Sequence, residues 1–154
     1  MAEQMTVGGK PIDSVNKDQL VELLNGDLAR EYQAIITYIQ YSASVTGPYR
    51  QELKQFFESE IPDETMHAQY LASKIAALGA VPCVTPEPVP QETAAKKMLE
   101  NIVEAERTAR NNYSVRAKQA DELGEVGLAN RLEDMADDES NHLDETLKIL
   151  QGWS

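Results

Sequence analysis

Glu64-Thr65-Met66-His67 and Glu139-Ser140-Asn141-His142 share one pattern, a glutamate three positions before a histidine, and together they use both histidines in the chain. Residues three apart on a helix lie on nearly the same face, so each pair can present a carboxylate and an imidazole side by side. Oxygen-rich sites with some imidazole suit iron or manganese, with zinc as a competitor. Glu31 and Glu106 extend the pattern. Glu31 and Glu106, Glu64 and Glu139, and His67 and His142 are each 75 positions apart, and 33 positions separate the two glutamates within each half. This spacing predicts two related helical hairpins packed with pseudo-twofold symmetry, which would put all six groups at one depth. Two divalent cations would neutralise the four carboxylates and keep two neutral imidazoles as ligands. Without them the carboxylates would repel one another in a dry interior.

The elements that must position these groups are legible as apolar stripes at steps of three and four. Asn16 and Gln19 read as a capping box that opens a first helix, with Leu24, Leu28, Glu31, Ile35 and Tyr38 on its inner face. Gly47-Pro48 breaks it. A second helix, about 49–78, carries Leu53, Phe57, Glu60, Glu64, His67 and Leu71, with Pro62 expected to kink it and Gly79 to stop it. The segment Val81–Gln91 contains Pro82, Pro86, Pro88 and Pro90 and is expected to be extended. At about 3.1 Å per residue its eleven residues would span roughly 34 Å, enough to cross much of a bundle's length. A third helix over about 91–123 has Leu99, Ile102, Glu106, Ala109, Tyr113 and Ala120 inward. After a turn bracketed by Gly124 and Gly127, a fourth carries Leu128, Leu132, Met135, Glu139, His142, Thr146 and Ile149. Short, long and short connections make this an all-α, four-helix bundle with one crossover. Residues 1–13 read as a flexible lead-in and 14–151 as the bundle.

A helical glutamate is ordinarily solvated, as expected for Glu100 and Glu104, and one Glu-x-x-His says little. Two such pairs with two further glutamates on matched apolar stripes say more. Glu60 has Met135 as its counterpart 75 positions on, so symmetry leaves it out of the set.

Composition narrows the function classes. Fourteen basic against 26 acidic side chains give a net charge of −12, which gathers cations and argues against a nucleic-acid surface. No apolar run approaches the roughly 18–20 residues of a membrane span. The first residues lack the basic start and apolar run of a signal peptide. Cys83 is the single cysteine and forms no internal disulfide; the expected setting is the reducing cytoplasm.

One glutamate from each of two helices and a Glu-x-x-His from each of the other two is the ligand pattern of di-iron carboxylate bundles. With the stretches EYQAIITY, DETMH, MLENIVEAE and DDESNH, residues 20–150 resemble the ferritin-like superfamily, and the bacterioferritin type most closely. That resemblance implies two iron ions per chain, with Glu64 and Glu139 bridging, Glu31 and His67 completing one position, and Glu106 and His142 the other. Tyr38 matches a tyrosine near the dimetal site, though a core aromatic with a hydrogen-bonded hydroxyl accounts for it equally well. Thr65 stands where bacterioferritin has its haem-binding methionine, and Met66 is about 100° further round the helix, so haem is not expected. The fifth helix of 24-subunit ferritins is missing, which leaves a twelve-subunit shell like that of the Dps proteins, or a dimer, as alternatives. Against the Dps comparison, the ligands here lie within one bundle. The resemblance implies a ferroxidase that oxidises Fe(II) with O2 or hydrogen peroxide for storage or detoxification, in a homo-oligomer. A small di-iron peroxidase and a purely structural bundle are the competing expectations.

Overall fold

The computed structural model describes residues 6, 7, 10, 11 and 14–153. Most of the expected lead-in, 1–13, lies outside them. Within it, β1 (Thr6–Val7) pairs antiparallel with β2 (Lys10–Pro11), Thr6 opposite Pro11 and Val7 opposite Lys10.

Four long helices follow: α1 (Lys17–Ser44), α2 (Arg50–Ala77), α3 (Ala95–Glu122) and α4 (Val126–Gln151). The capping box is present, with the Gln19 N–H donating to the Asn16 side chain at 2.8 Å and the Asn16 N–H to the Gln19 side chain at 3.0 Å. Such a cap contributes about 1 kcal/mol. Gly47, at φ 103°, turns the chain from α1 into α2 where an L side chain would be strained. Pro62 lies inside α2 without ending it; its ring is exposed, and the missing N–H takes one bond from the ladder. Helix α3 starts four residues later than its pattern suggested. The Glu92 carboxylate accepts from the backbone N–H groups of Thr93 and Ala94, at 2.8 and 3.1 Å, and holds a turn ahead of Ala95. Gly127 belongs to the first turn of α4 and not to the loop before it.

α1 packs chiefly on α2 and α3 on α4. The chain between α2 and α3 runs up the length of α1, pinned to it at successive levels. Asn25 donates to the Val81 carbonyl and accepts from the Cys83 N–H, the Glu87 N–H donates to Ala29, Gln33 donates to Pro88, and the Tyr41 hydroxyl donates to Pro90. This strap returns the chain to the end of the bundle where α2 began, so α3 runs parallel to α2 and antiparallel to α1.

Two apolar clusters flank the middle of the bundle. One contains Leu20, Leu24, Leu28, Leu71, Ile75, Leu128, Leu132 and Met135. The other, at the far end, contains Tyr38, Tyr41, Phe57, Met98, Leu99 and Ile102. Each fully buried Leu or Phe contributes about 1.5–3 kcal/mol, and these two layers clamp a polar layer that could not hold itself together. Asp27 and Arg116 form a buried ion pair beside that layer, Nε to Oδ2 at 2.8 Å. No described helix is long and apolar enough to cross a membrane.

Candidate metal centre

Each helix turns one part of its stripe into the polar layer. α1 supplies Glu31, α2 Glu64 and His67, α3 Glu106, and α4 Glu139 and His142; all six are between 1 and 6 % exposed. Their ligand atoms fall into two overlapping groups, Glu31–Glu64–His67–Glu139 and Glu64–Glu106–Glu139–His142, each within 4.8 Å. Glu64 and Glu139 belong to both. His67 Nδ1 lies 3.0 Å from Glu139 Oε1 and 3.5 Å from Glu31 Oε1. His142 Nδ1 lies 3.2 Å from Glu64 Oε1 and 3.6 Å from Glu106 Oε2. The structure thus brings together all six residues singled out by spacing.

The chemistry of the donor set fits a divalent metal pair. Buried polar atoms almost always have a hydrogen-bond partner. Here Glu31 Oε2, Glu64 Oε1, His67 Nδ1, Glu106 Oε2, Glu139 Oε1 and His142 Nδ1 have none, one atom from each of the six residues; among the described residues only Gln119 Nε2 joins them. Unpartnered oxygens and nitrogens facing one another are what bound cations would satisfy.

Around the six lies a set of orienting contacts that repeats the 75-residue offset. His67 Nε2 is 2.9 Å from Asp138 Oδ2, and His142 Nε2 is 3.1 Å from Asp63 Oδ2. With Nε2–H donating outward, each ring leaves Nδ1 free to bind a metal. The Tyr38 hydroxyl donates to Glu106 Oε1 at 2.5 Å, and the Tyr113 hydroxyl donates to Glu31 Oε1. Tyr113 lies 75 positions after Tyr38, as Asp138 does after Asp63; extending the offset beyond the ligands would have found both. Glu60 is the exception that symmetry hid. Its Oε2 sits 2.7 Å from His142 Nε2, so a residue set aside for lacking a counterpart touches the site. Thr65 donates to the Ile61 carbonyl, and Met66 points to solvent, 52 % exposed.

Electrostatics follow from burial and crowding. Burial, then the neighbouring Glu31 and Glu139 carboxylates, push Glu64 well above the usual carboxylate range. Burial and Glu106 do the same to Glu139. Burial opposes ionisation of Glu106 too, but the adjoining Glu139 and His142 and the hydrogen bond from Tyr38 bring it below its ordinary value. Burial would lower His67, yet Glu31, Glu64 and Asp138 raise it to about 9. His142 goes the same way, against burial, through Glu106, Glu60 and Glu64. Without metal, burial and crowding thus favour the protonated forms of Glu64, Glu139 and the two imidazoles.

A cavity of about 320 Å³ between α1 and α3 is lined by the four glutamates and both tyrosines, and by Gln33, Thr37, Thr108 and Asn112. It gives small molecules a way to the centre.

A family described as a ferritin-like domain matches residues 21–153. Among solved structures, a ferritin-like di-iron-carboxylate protein from Bacillus anthracis is 46 % identical, covering 87 % of this chain and 96 % of its own, with a TM-score of 0.85. A bacterioferritin from Desulfovibrio desulfuricans, described with a di-iron site, is 26 % identical over 88 % of this chain and 80 % of its own, at TM-score 0.79. A dodecameric thioferritin from Bacteroides fragilis is 21 % identical over 89 % of each chain, at TM-score 0.74, a likeness of fold. No curated protein sequence gives a significant match.

Proposed function

The chain belongs to the ferritin-like family, and from that premise we propose that it is a ferroxidase whose substrate is Fe(II). The observation that carries this reading is the set of six unpartnered, mutually facing donor atoms, one from each of Glu31, Glu64, His67, Glu106, Glu139 and His142. Glu64 and Glu139 would be shared between two iron ions, Glu31 with His67 would complete one position and Glu106 with His142 the other. Iron is the favoured metal; manganese and zinc compete for the same donors.

The balance is simple. Two Fe(II) ions give up one electron each, and O2 with two protons leaves as hydrogen peroxide; hydrogen peroxide with two protons and the same two electrons leaves as two waters. The residues supply the conditions. The four carboxylates hold two cations close enough to serve one oxidant. The rings, fixed through Asp63 and Asp138, present Nδ1. Tyr38 and Tyr113 keep Glu106 and Glu31 in place, and the cavity of about 320 Å³ beside them has room for a small oxidant. Histidine and glutamate protons displaced by the cations are available at the site for the reduced oxidant.

The unit that acts is the bundle, residues 14–151, in the cytoplasm, where reducing conditions keep iron as Fe(II). A homo-oligomer follows from the same reading. A shell would let Fe(III) product accumulate inside, whereas in a dimer the centre would serve detoxification as a small peroxidase; native mass separates the two. The test of the reaction is Fe(II) added anaerobically and then exposed to oxidant. The wild-type chain should oxidise it faster than buffer alone, and Glu64→Ala should not. Equal rates in the two proteins would refute the proposal.

A further inference from the structure

The offset of 75 relates ligand to ligand, tyrosine to tyrosine and aspartate to aspartate, but it fails at position 60. Its counterpart Met135 is a fully buried apolar side chain in the cluster on the other side of the polar layer. The two imidazoles consequently have different surroundings. His67 Nε2 faces one carboxylate, Asp138, which is half exposed. His142 Nε2 faces two, the half-exposed Asp63 at 3.1 Å and the buried Glu60 at 2.7 Å.

That difference acts in one direction. A carboxylate accepting from a ligand imidazole makes the other ring nitrogen a better donor and fixes the ring's angle. It does so more strongly when it is dry, because water no longer competes for the hydrogen bond or screens the charge. Glu60 also adds one negative charge near one position only; among the described residues the buried carboxylate beside the other, Asp27, is paired with Arg116.

We infer that the two metal positions are inequivalent, that the one completed by Glu106 and His142 binds more tightly and fills first, and that Glu60 is the positioning residue responsible. The inference rests on the six-residue metal centre proposed above.

Co(II), followed by its visible absorption, is the probe, because it reports on each position without turnover. The wild-type protein should take it up in two separable steps. His142→Ala should remove the tighter step and His67→Ala the weaker. Glu60→Met, which copies position 135, should weaken the tighter step about 10–100-fold and merge the two, with the total bound unchanged. Glu60→Gln keeps an acceptor without the charge and should fall between them; it also serves should the methionine variant fail to fold. Asp138→Asn should weaken only the second step. Two equal steps in the wild type, or a tighter step unmoved in both Glu60 variants, would overturn the inference and leave the metal pair standing. No Co(II) binding by the wild type would overturn the inference and the proposed centre together.

Discussion

The Tyr113 hydroxyl on α3 donates to the Glu31 carboxylate on α1, reaching across the bundle to the residue that spacing assigns to the other half of the repeat. Tyr38 on α1 returns the arrangement to Glu106 on α3. Each phenol thus holds the carboxylate of the opposite hairpin, and the two positions are braced by different tyrosines. Tyr113→Phe should weaken metal binding about 10–100-fold at the position of Glu31 and His67 and leave the other unchanged; Tyr38→Phe should do the reverse. Stepwise Co(II) titration of both variants checks this. Equal effects at both positions would show that the tyrosines merely pack.

The metal-free protein should lose stability as pH rises. His67 is raised from 6.5 to about 9 in the folded state. Its contribution is therefore complete below about 6.5 and is lost as pH climbs through about 9. Glu64 and Glu139 are raised as well, so the folded chain also holds carboxyl protons that the unfolded chain releases above about 4.5, and the sign is the same. Melting temperatures of metal-free protein should fall from pH 6.5 to 9, while added metal, which needs those protons gone, should stabilise more over the same range. A metal-free melting temperature that climbs with pH would contradict the assignment.

Glu64→Gln should stabilise the metal-free protein while removing its response to metal. The carboxyl is buried among other carboxyls, and a neutral amide of the same size removes their repulsion, a gain in stability. For a chain of this size each kcal/mol gained raises the melting temperature by roughly 2–4 °C. In the wild type, metal that binds only the folded state must raise the melting temperature. Calorimetry with and without Co(II) reads both effects; a variant less stable than the wild type without metal would mean that Glu64 supports the fold.

The four helices and the six-residue cluster were legible because two periodicities coincide. Stripes at three and four residues place side chains inward, and the 75-residue offset places Glu31 with Glu106, Glu64 with Glu139 and His67 with His142. The crossover was legible from its prolines, which exclude helix. Where the chain departs from simple rules, sequence said less. Glu60 faces His142 although symmetry argued against it, because contact between α2 and α4 depends on three-dimensional approach and not on the repeat. The α3 start was displaced by a local side-chain turn at Glu92. The pair Asp27–Arg116 has Ile102 and Tyr41 at the equivalent positions, so nothing in the repeat announced it.

The proposed reaction requires one chain to hold two metal ions on these six residues. The most direct test of that requirement is equilibrium binding of Fe(II) under strict anaerobiosis, with iron counted per chain after removal of free metal. Saturation near two ions per chain, reduced sharply by Glu139→Ala, is the predicted result. No saturable binding, or the same stoichiometry and affinity in that variant, would contradict it.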